Sequence, residues 1–349
     1  MRLSSPAVRW TARGVLLAAL IIYPFVVPQP GFWVVNIGIK SLWLGVMALS
    51  LIFLYKFTGL LSLGQLAFWG AAGYTIGYLV QLQGWSFAPA IALGIVFGIL
   101  LGALVGSFAI RASGVYFLML TLAVAQLMYF AALQASQFTR GHQGITGIRP
   151  PTFLGLDLVS ARTQYLVALT IAVLLYVLCR YIEGTPFGLA LRGLRDSPER
   201  MRALGYNVYA YKVVAFSFAA FIASIGGVLA IFYNRQIVPD GVGLIRTIDV
   251  LIAAVVGGVI SLPGAFIGAF ALTMVQNFSQ FFTSRYLTLT GVVFVVVVLF
   301  FPQGIAGLWR QFTGYYLWAH DRWRPATRDA VEGKGVGAGA AQLSERSTD

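Results

Sequence analysis

Very few side chains in this sequence are of the kinds that make or break bonds, and none stands in a catalytic spacing. The two histidines, His142 and His320, are far apart, and the single cysteine, Cys179, sits in an apolar run. A metal site needs clustered ligands, and a phosphate loop needs glycines leading into Gly-Lys-Ser/Thr; neither pattern occurs. No catalytic residue, cofactor or metal is therefore expected. The polar chemistry that remains lies where apolar segments are broken by glycine or proline. Ser62 and Gln65 accompany Gly59 and Gly64, and Ser261 accompanies Gly258, Pro263 and Gly264. Freed backbone groups and these side chains could hydrogen-bond the amino and carboxylate groups of a small solute, with Phe68 and Phe266 as an apolar wall.

A second kind of chemistry is carried by the polar connection 182–212. Thr185 followed by Pro186 reads as a helix cap and first position, and Ser197, Pro198 and Glu199 read as a second start that Gly205 closes. Leu189, Leu191, Leu194, Met201 and Leu204 alternate with Arg192, Arg195, Arg200 and Arg202, which predicts two short amphipathic helices. Such helices dock on a partner or lie on a membrane surface. Phe187, Arg192, Leu194, Arg195, Glu199, Leu204 and Gly205 are the candidate coupling residues, with Leu194 expected on the docked face.

The elements that must position these residues are membrane helices. The chain has 349 residues, of which 59% are hydrophobic and 10% charged, against about 25% charged in a soluble domain. Its mean hydropathy is +0.82. The net charge of +13 lies at the ends of apolar runs rather than on one face with stacking aromatics, so nucleic acid is excluded as a partner. Spanning helices are expected near 14–29, 34–55, 59–82, 87–110, 114–135, 163–181, 213–234, 250–277 and 286–309. The fold class is all-α, a polytopic bundle of about 9–10 spans. The basic flank 1–13 precedes a retained first span, since no small-residue cleavage site follows it.

Arginines and lysines in short loops put the N-terminus, Lys56, Arg111, 182–212 and the tail 311–349 in the cytoplasm, and 136–162 outside. Nine crossings would put that tail on the wrong side. The suspect is 250–277, interrupted by Gly257, Gly258, Pro263 and Gly264; a split helix or re-entrant pair restores the parity. This segment also repeats an earlier one: Gly59–Gly64 matches Gly258–Pro263, and Ala67–Ala71 matches Ala265–Ala269, the mark of a weak internal repeat. The two segments, 59–73 and 258–270, are expected to meet near the bilayer midplane. Arg246 and Asp249 read as interfacial residues at a span end, and Lys40 as a snorkelling one. With so few intramembrane charges to couple to an ion gradient, energy for transport has to come from another chain. The tail, rich in glycine, alanine and charge from Pro325 onward, has the composition of a disordered segment.

Four stretches together resemble the permease subunits of ABC importers of the branched-chain amino acid (hydrophobic amino acid uptake) family. They are Gly59 through Gln65 with Phe68 and Gly70, Arg111 through Thr121, Thr139 through Ile148, and Pro186 through Asn207; Phe300 through Leu308 resembles that family's last helix. The resemblance covers roughly residues 35–310. It implies a permease domain over 14–310 working with a second permease, two cytoplasmic ATP-binding subunits and an extracytoplasmic binding protein in a bacterial inner membrane. It also implies that 184–205 seats in the ATPase and that the external loop with Arg140, His142, Gln143 and Thr146 meets the binding protein or the outer mouth. Arg140 stands where members commonly carry glycine and Gln65 where several carry His or Asn, which leaves open urea, an amide or another small polar solute as cargo. A self-sufficient secondary transporter or channel is the rival from another class.

Overall fold

The structure, a computed structural model, describes residues 6–27, 29–149, 152–153, 156–157 and 160–282, with isolated positions 288, 291, 292, 294, 295, 299 and 304. The expected last span, 286–309, and the tail, 311–349, thus lie outside the described residues apart from those positions. Helices follow the apolar runs, because in lipid each backbone N–H and C=O has to be satisfied within its own segment. Helix α1 (Pro6–Val26) precedes a wide π-type stretch, Gly31–Ile39, that continues directly as α2 (Lys40–Thr58). Then come α3 (Gln65–Gly77), prolonged by π-type turns over Tyr78–Leu82, α4 (Phe87–Ala109), α5 (Val115–Gln134) and the single-turn α6 (Ser136–Thr139). Strand β1 (Ile145–Thr146) and the two-residue pair β2 (Thr152–Phe153) and β3 (Leu156–Asp157) lead to α7 (Ala161–Gly184). The short α8 (Pro186–Asp196) and α9 (Pro198–Ala203) precede α10 (Val208–Asn234). Strand β4 (Gln236–Ile237) pairs antiparallel with β1, and α11 (Leu244–Gly257) and α12 (Gly264–Phe282) follow.

Five described helices are long and apolar enough to cross a membrane: Gly31–Thr58, α4, α5, α7 and α10. The first of these is the spine. Fifteen of the nineteen α2 residues are buried, between α3, α7, α10 and α12. The glycines of α4 at 94, 98, 102 and 106 are buried in one face, against Ile76 of α3 and against Ser224, Ala220 and Phe216 of α10. Small residues there let backbones approach to contact distance, which is how helices pack when lipid removes the hydrophobic drive. The opposite faces of α4 and α5 carry exposed Leu93, Phe97, Leu100, Leu104, Met119 and Leu127, as a lipid-facing surface must.

One expected span is corrected, and another is broken where its glycines and proline predict. The helix expected from 59 starts only at Gln65. Gly59 takes a left-handed φ of 73° that ends α2, and 60–64 is irregular and largely buried. Its amides find side chains instead of helix carbonyls: Leu60 N–H donates to Thr58 Oγ1, Leu63 N–H to Thr121 Oγ1 and Gly64 N–H to Ser62 Oγ. The span expected over 250–277 is a helical hairpin. Gly257 lies against Gly264, Gly268 against Ala253, and Asp249 bonds Gln276, so α12 runs antiparallel to α11. Phe266 packs on Gly45 of α2, about 20 Å of helix short of Thr58, so the hairpin turns back inside the bundle. A hairpin is the re-entrant arrangement expected from the parity of the spans; the last span in that count, 286–309, lies largely outside the described residues.

The repeat has a structural counterpart. In both copies a helix ends at a glycine of positive φ, 73° at Gly59 and 103° at Gly258, an irregular segment follows, and a new helix begins at Gln65 or Gly264. Both copies pack on α2: Gln65 meets it at Ser50 and Phe266 meets it at Gly45, positions about 140° apart around that helix.

Candidate functional site

At one end of the bundle α8 and α9 are clamped to the membrane helices. Thr185 Oγ1 accepts the Gly188 N–H and caps α8, as its position before Pro186 dictates. Ser197 precedes α9 but its side chain makes no cap bond. Arg192 Nη2 donates to the Glu183 carbonyl at 2.7 Å, and Arg195 Nη1 donates to the Lys56 carbonyl at 2.7 Å. Lys56 Nζ and Arg180 Nη1 both reach the Glu183 carboxylate at 2.6 Å. Phe187 stacks on Tyr211 of α10 at 5.6 Å between centroids. Leu194, expected on the docked face, instead points inward with 0% exposure, beside Leu191 at 0%. The apolar stripe of α8 is consumed by its own bundle, and the faces left for a partner are those of Leu189, Glu199, Arg200, Leu204 and Tyr206, all exposed, with Gly205 closing α9 at φ 84°.

Of the expected pathway residues, Ser62 and Gln65 are buried at 0% and 2%. Ser50 Oγ lies 2.8 Å from both Gln65 Oε1 and the Ala219 carbonyl, which ties α2, α3 and α10 together, while Gln65 Nε2 has no partner. Phe68 is fully buried and meets Phe216 edge-on at 5.6 Å; it is a core residue facing α10 rather than an open space. Ser261 sits in the hairpin turn, its N–H bonded to the Gly258 carbonyl, and Phe266 covers Gly45.

At the far end Arg140 takes a left-handed φ of 60° and is exposed, as are His142 and Gln143. Thr146 pairs with Gln236 across β1 and β4, and its neighbour Ile145 is buried against Gly77. This connection is thereby pinned to the helix pair rather than hanging free.

Also at this end is a feature the sequence reading missed. An open cavity of about 550 Å³ is lined by Lys40, Gln126, Tyr129, Asp240, Gly243, Leu244, Ile245, Arg246, Asp249, Gln276 and Gln280. Asp249 is 8% exposed, not interfacial. Its Oδ2 accepts from Arg246 Nη1 at 3.3 Å and its Oδ1 from Gln276 Nε2 at 3.1 Å. Lys40 faces the same cavity. Adjoining it, a gap of about 10 Å³, room for one water, is bordered by Lys40, Arg246, Asp249 and Gln276 on one hand and by Trp43, Leu44, Leu66 and Val250 on the other. The local signal was the i, i+3 pair Arg246 and Asp249 on α11; its third member, Gln276, lies across the hairpin and has no local signature.

Residues 33–302 match the family described as the branched-chain amino acid transport system / permease component. The chain belongs to this family. Among its relatives are two proteins named High-affinity branched-chain amino acid transport system permease protein LivM, from Salmonella typhimurium and Escherichia coli. Each is 25% identical over 319 residues, covering 84% of this chain and 74% of the relative. BraD of Pseudomonas aeruginosa, another such permease protein, is 27% identical over 146 residues, 41% of this chain and 47% of its own. No solved structure matches. The matched range of the permease runs from the π-type stretch before α2 past the hairpin, so both breaks, the α8–α9 clamp and the cavity fall inside it.

In this permease, Gln65→Ala removes one acceptor from a buried serine that keeps its second, the Ala219 carbonyl, so the loss is about 1 kcal/mol. The expected outcome is slower uptake with normal recovery of the assembled complex by size exclusion. Unchanged uptake removes Gln65 from the path, and loss of assembly makes it a structural residue.

Proposed function

We propose that this permease forms half of the translocation path of an ATP-driven importer for branched-chain or related amino acids. The observation that carries the reading is the family match across the whole bundle, together with relatives named as branched-chain amino acid permeases. Residues 14–310 form the permease domain, with 1–13 and 311–349 on the cytoplasmic side of a bacterial inner membrane. The α8–α9 connection is then cytoplasmic and rests on one of two ATP-binding subunits. The cavity end with Arg140, His142, Gln143 and Thr146 is extracytoplasmic and faces the binding protein. Ser62, Gln65, Ser261 and Phe266 flank α2, the helix whose movement opens the path. The chain itself hydrolyses no ATP, consistent with a sequence that lacks a phosphate loop.

The test is reconstitution in liposomes with a second permease, the ATPase subunits and the binding protein. L-Leucine or a close relative should accumulate only with ATP, and the purified chain alone should show no ATPase above background. Uptake without ATP or partners would establish a self-sufficient transporter, and uptake of urea or an amide in place of amino acids would move the substrate class.

A further inference from the structure

The far-end cavity pairs two cations with two anions. Lys40, Arg246, Asp240 and Asp249 all line a space of about 550 Å³, inside the range of about 300–1,000 Å³ common for small-molecule sites, with Arg246 and Asp249 in contact along one helix. The balance of charge matters for what such a space accepts. A net cation or anion entering it leaves one charge uncompensated. A neutral amide gains nothing from either sign. A zwitterion satisfies both at once.

The geometry leaves these groups available. The Arg246–Asp249 contact is 3.3 Å, longer than the 2.7–2.9 Å usual for a charge-assisted bond, and the Arg246 side chain is half exposed. A guanidinium carries five N–H donors, and only one of Arg246 is engaged here. Lys40 makes no ion pair among the described residues. Asp240 is exposed, and a carboxylate such as Asp249 with two bonds accepted retains further lone pairs. Lys40, Arg246, Asp249 and Gln276 also line the small adjoining gap together with Trp43, Leu44, Leu66 and Val250, and among the described residues the buried Trp43 Nε1 has no partner.

We infer that this cavity is a docking site for the head group of a free α-amino acid. Lys40 and Arg246 take the carboxylate, Asp240 and Asp249 the ammonium, and Leu244 and Ile245 of the lining are left for the side chain. The inference rests on the importer reading above and adds to it a substrate site within the permease. Such a site has to be weak, in the millimolar range, because the solute is handed in and let go within each cycle.

The probe is Gln280→Cys on the exposed rim of the cavity, in the liposome-reconstituted complex of permeases and ATPase subunits. The binding protein is left out of the labelling step so that it does not sequester the ligand. The native thiol, Cys179, is 0% exposed and stays silent toward an impermeant maleimide. L-Leucine at about twice its dissociation constant should slow labelling roughly threefold. Leucine methyl ester, which lacks the carboxylate, and N-acetyl-leucine, which lacks the ammonium, should not protect. Lys40→Gln should lose most of the protection by leucine. If that variant does not assemble, the two analogues still test the charge requirement in the unaltered cavity. Absence of protection by leucine, or equal protection by ester and N-acetyl forms, overturns the site. Leucine uptake by the full importer without protection rejects the site alone; protection without ATP-driven uptake upholds the site and rejects the importer reading.

Discussion

Leu194→Asp is expected to abolish uptake by unseating the whole α8–α9 connection. Leu194 and Leu191 are fully buried on the side of α8 that faces the bundle, where α8 packs on α2 and α7. The nearby cations are already engaged: Arg195 with the Lys56 carbonyl and Asp196, Arg192 with the Glu183 carbonyl, Lys56 with the Glu183 carboxylate. An aspartate at 194 would therefore be a buried charge without a partner, at a cost on the order of 4 kcal/mol or more. The measurement is thermal stability of the purified permease in detergent, followed by pull-down of the ATP-binding subunit. Leu189→Asp and Leu204→Asp are the paired controls, since these side chains are 59% and 72% exposed. They should leave the melting point within a degree or two of the parent and reduce ATPase capture. If Leu194→Asp melted like the parent while losing ATPase capture, Leu194 would belong to the docking face after all.

The hairpin carries the second large effect. A Cβ on Gly268 would fall on the carbonyl oxygen of Ala253 and against the backbone of Gly257, and neither can swing aside as a side-chain tip can. Overpacking a core costs about 1–3 kcal/mol when side chains absorb it. Here two helix backbones must separate, so Gly268→Ala should cost at least ~3 kcal/mol. The Asp249–Gln276 bond, which spans the same two helices, should weaken with it. We expect Gly268→Ala to lower the detergent melting temperature by at least ~5 °C, and Gly268→Leu not to yield a monodisperse permease. Gly84→Ala is the contrasting control for space alone: nothing lies within 4 Å of its Cβ position, although its φ of 69° adds some strain. A Gly268→Ala permease as stable as the parent would mean that α11 and α12 are not held at this separation.

The residues that announce themselves locally were readable before any coordinates. Thr185 with Pro186 starts a helix because a hydroxyl cap and a fixed φ act within one turn, and the structure has that cap. The glycines and proline of 257–264 break a helix for equally local reasons, and the hairpin turns there. What escaped was set by long-range packing. An amphipathic stripe shows that α8 buries one face but not whether the cover is a partner or its own bundle, so Leu194 was read the wrong way round. Asp249 reads as an end-of-span residue because it stands at the start of its apolar run; its partner Gln276 lies 27 residues on, and only the packing of α12 on α11 buries the pair. The two broken segments are related by their glycines, yet sequence similarity says nothing about where each packs on α2, Gln65 at Ser50 and Phe266 at Gly45.

Helix α2 with its π-type extension runs from Gly31 to Thr58 with no proline after its first residue. Lys56 at one end is held by Glu183 and, through its carbonyl, by Arg195; Lys40 at the other borders the charged cavity, and Trp43 and Leu44 line the small gap that adjoins it. In mechanical terms it is a lever. Lys40 lies about 24 Å from Lys56 along the axis, so a tilt of about 5° pivoted at the clamp would carry Lys40 sideways by about 2 Å and Trp43 by only slightly less. The gap adjoining the cavity admits a single water. A displacement of that size, comparable to the radius of a water molecule, is enough to change whether the gap is shut, with no helix unfolding and no side chain changing partner at the clamp.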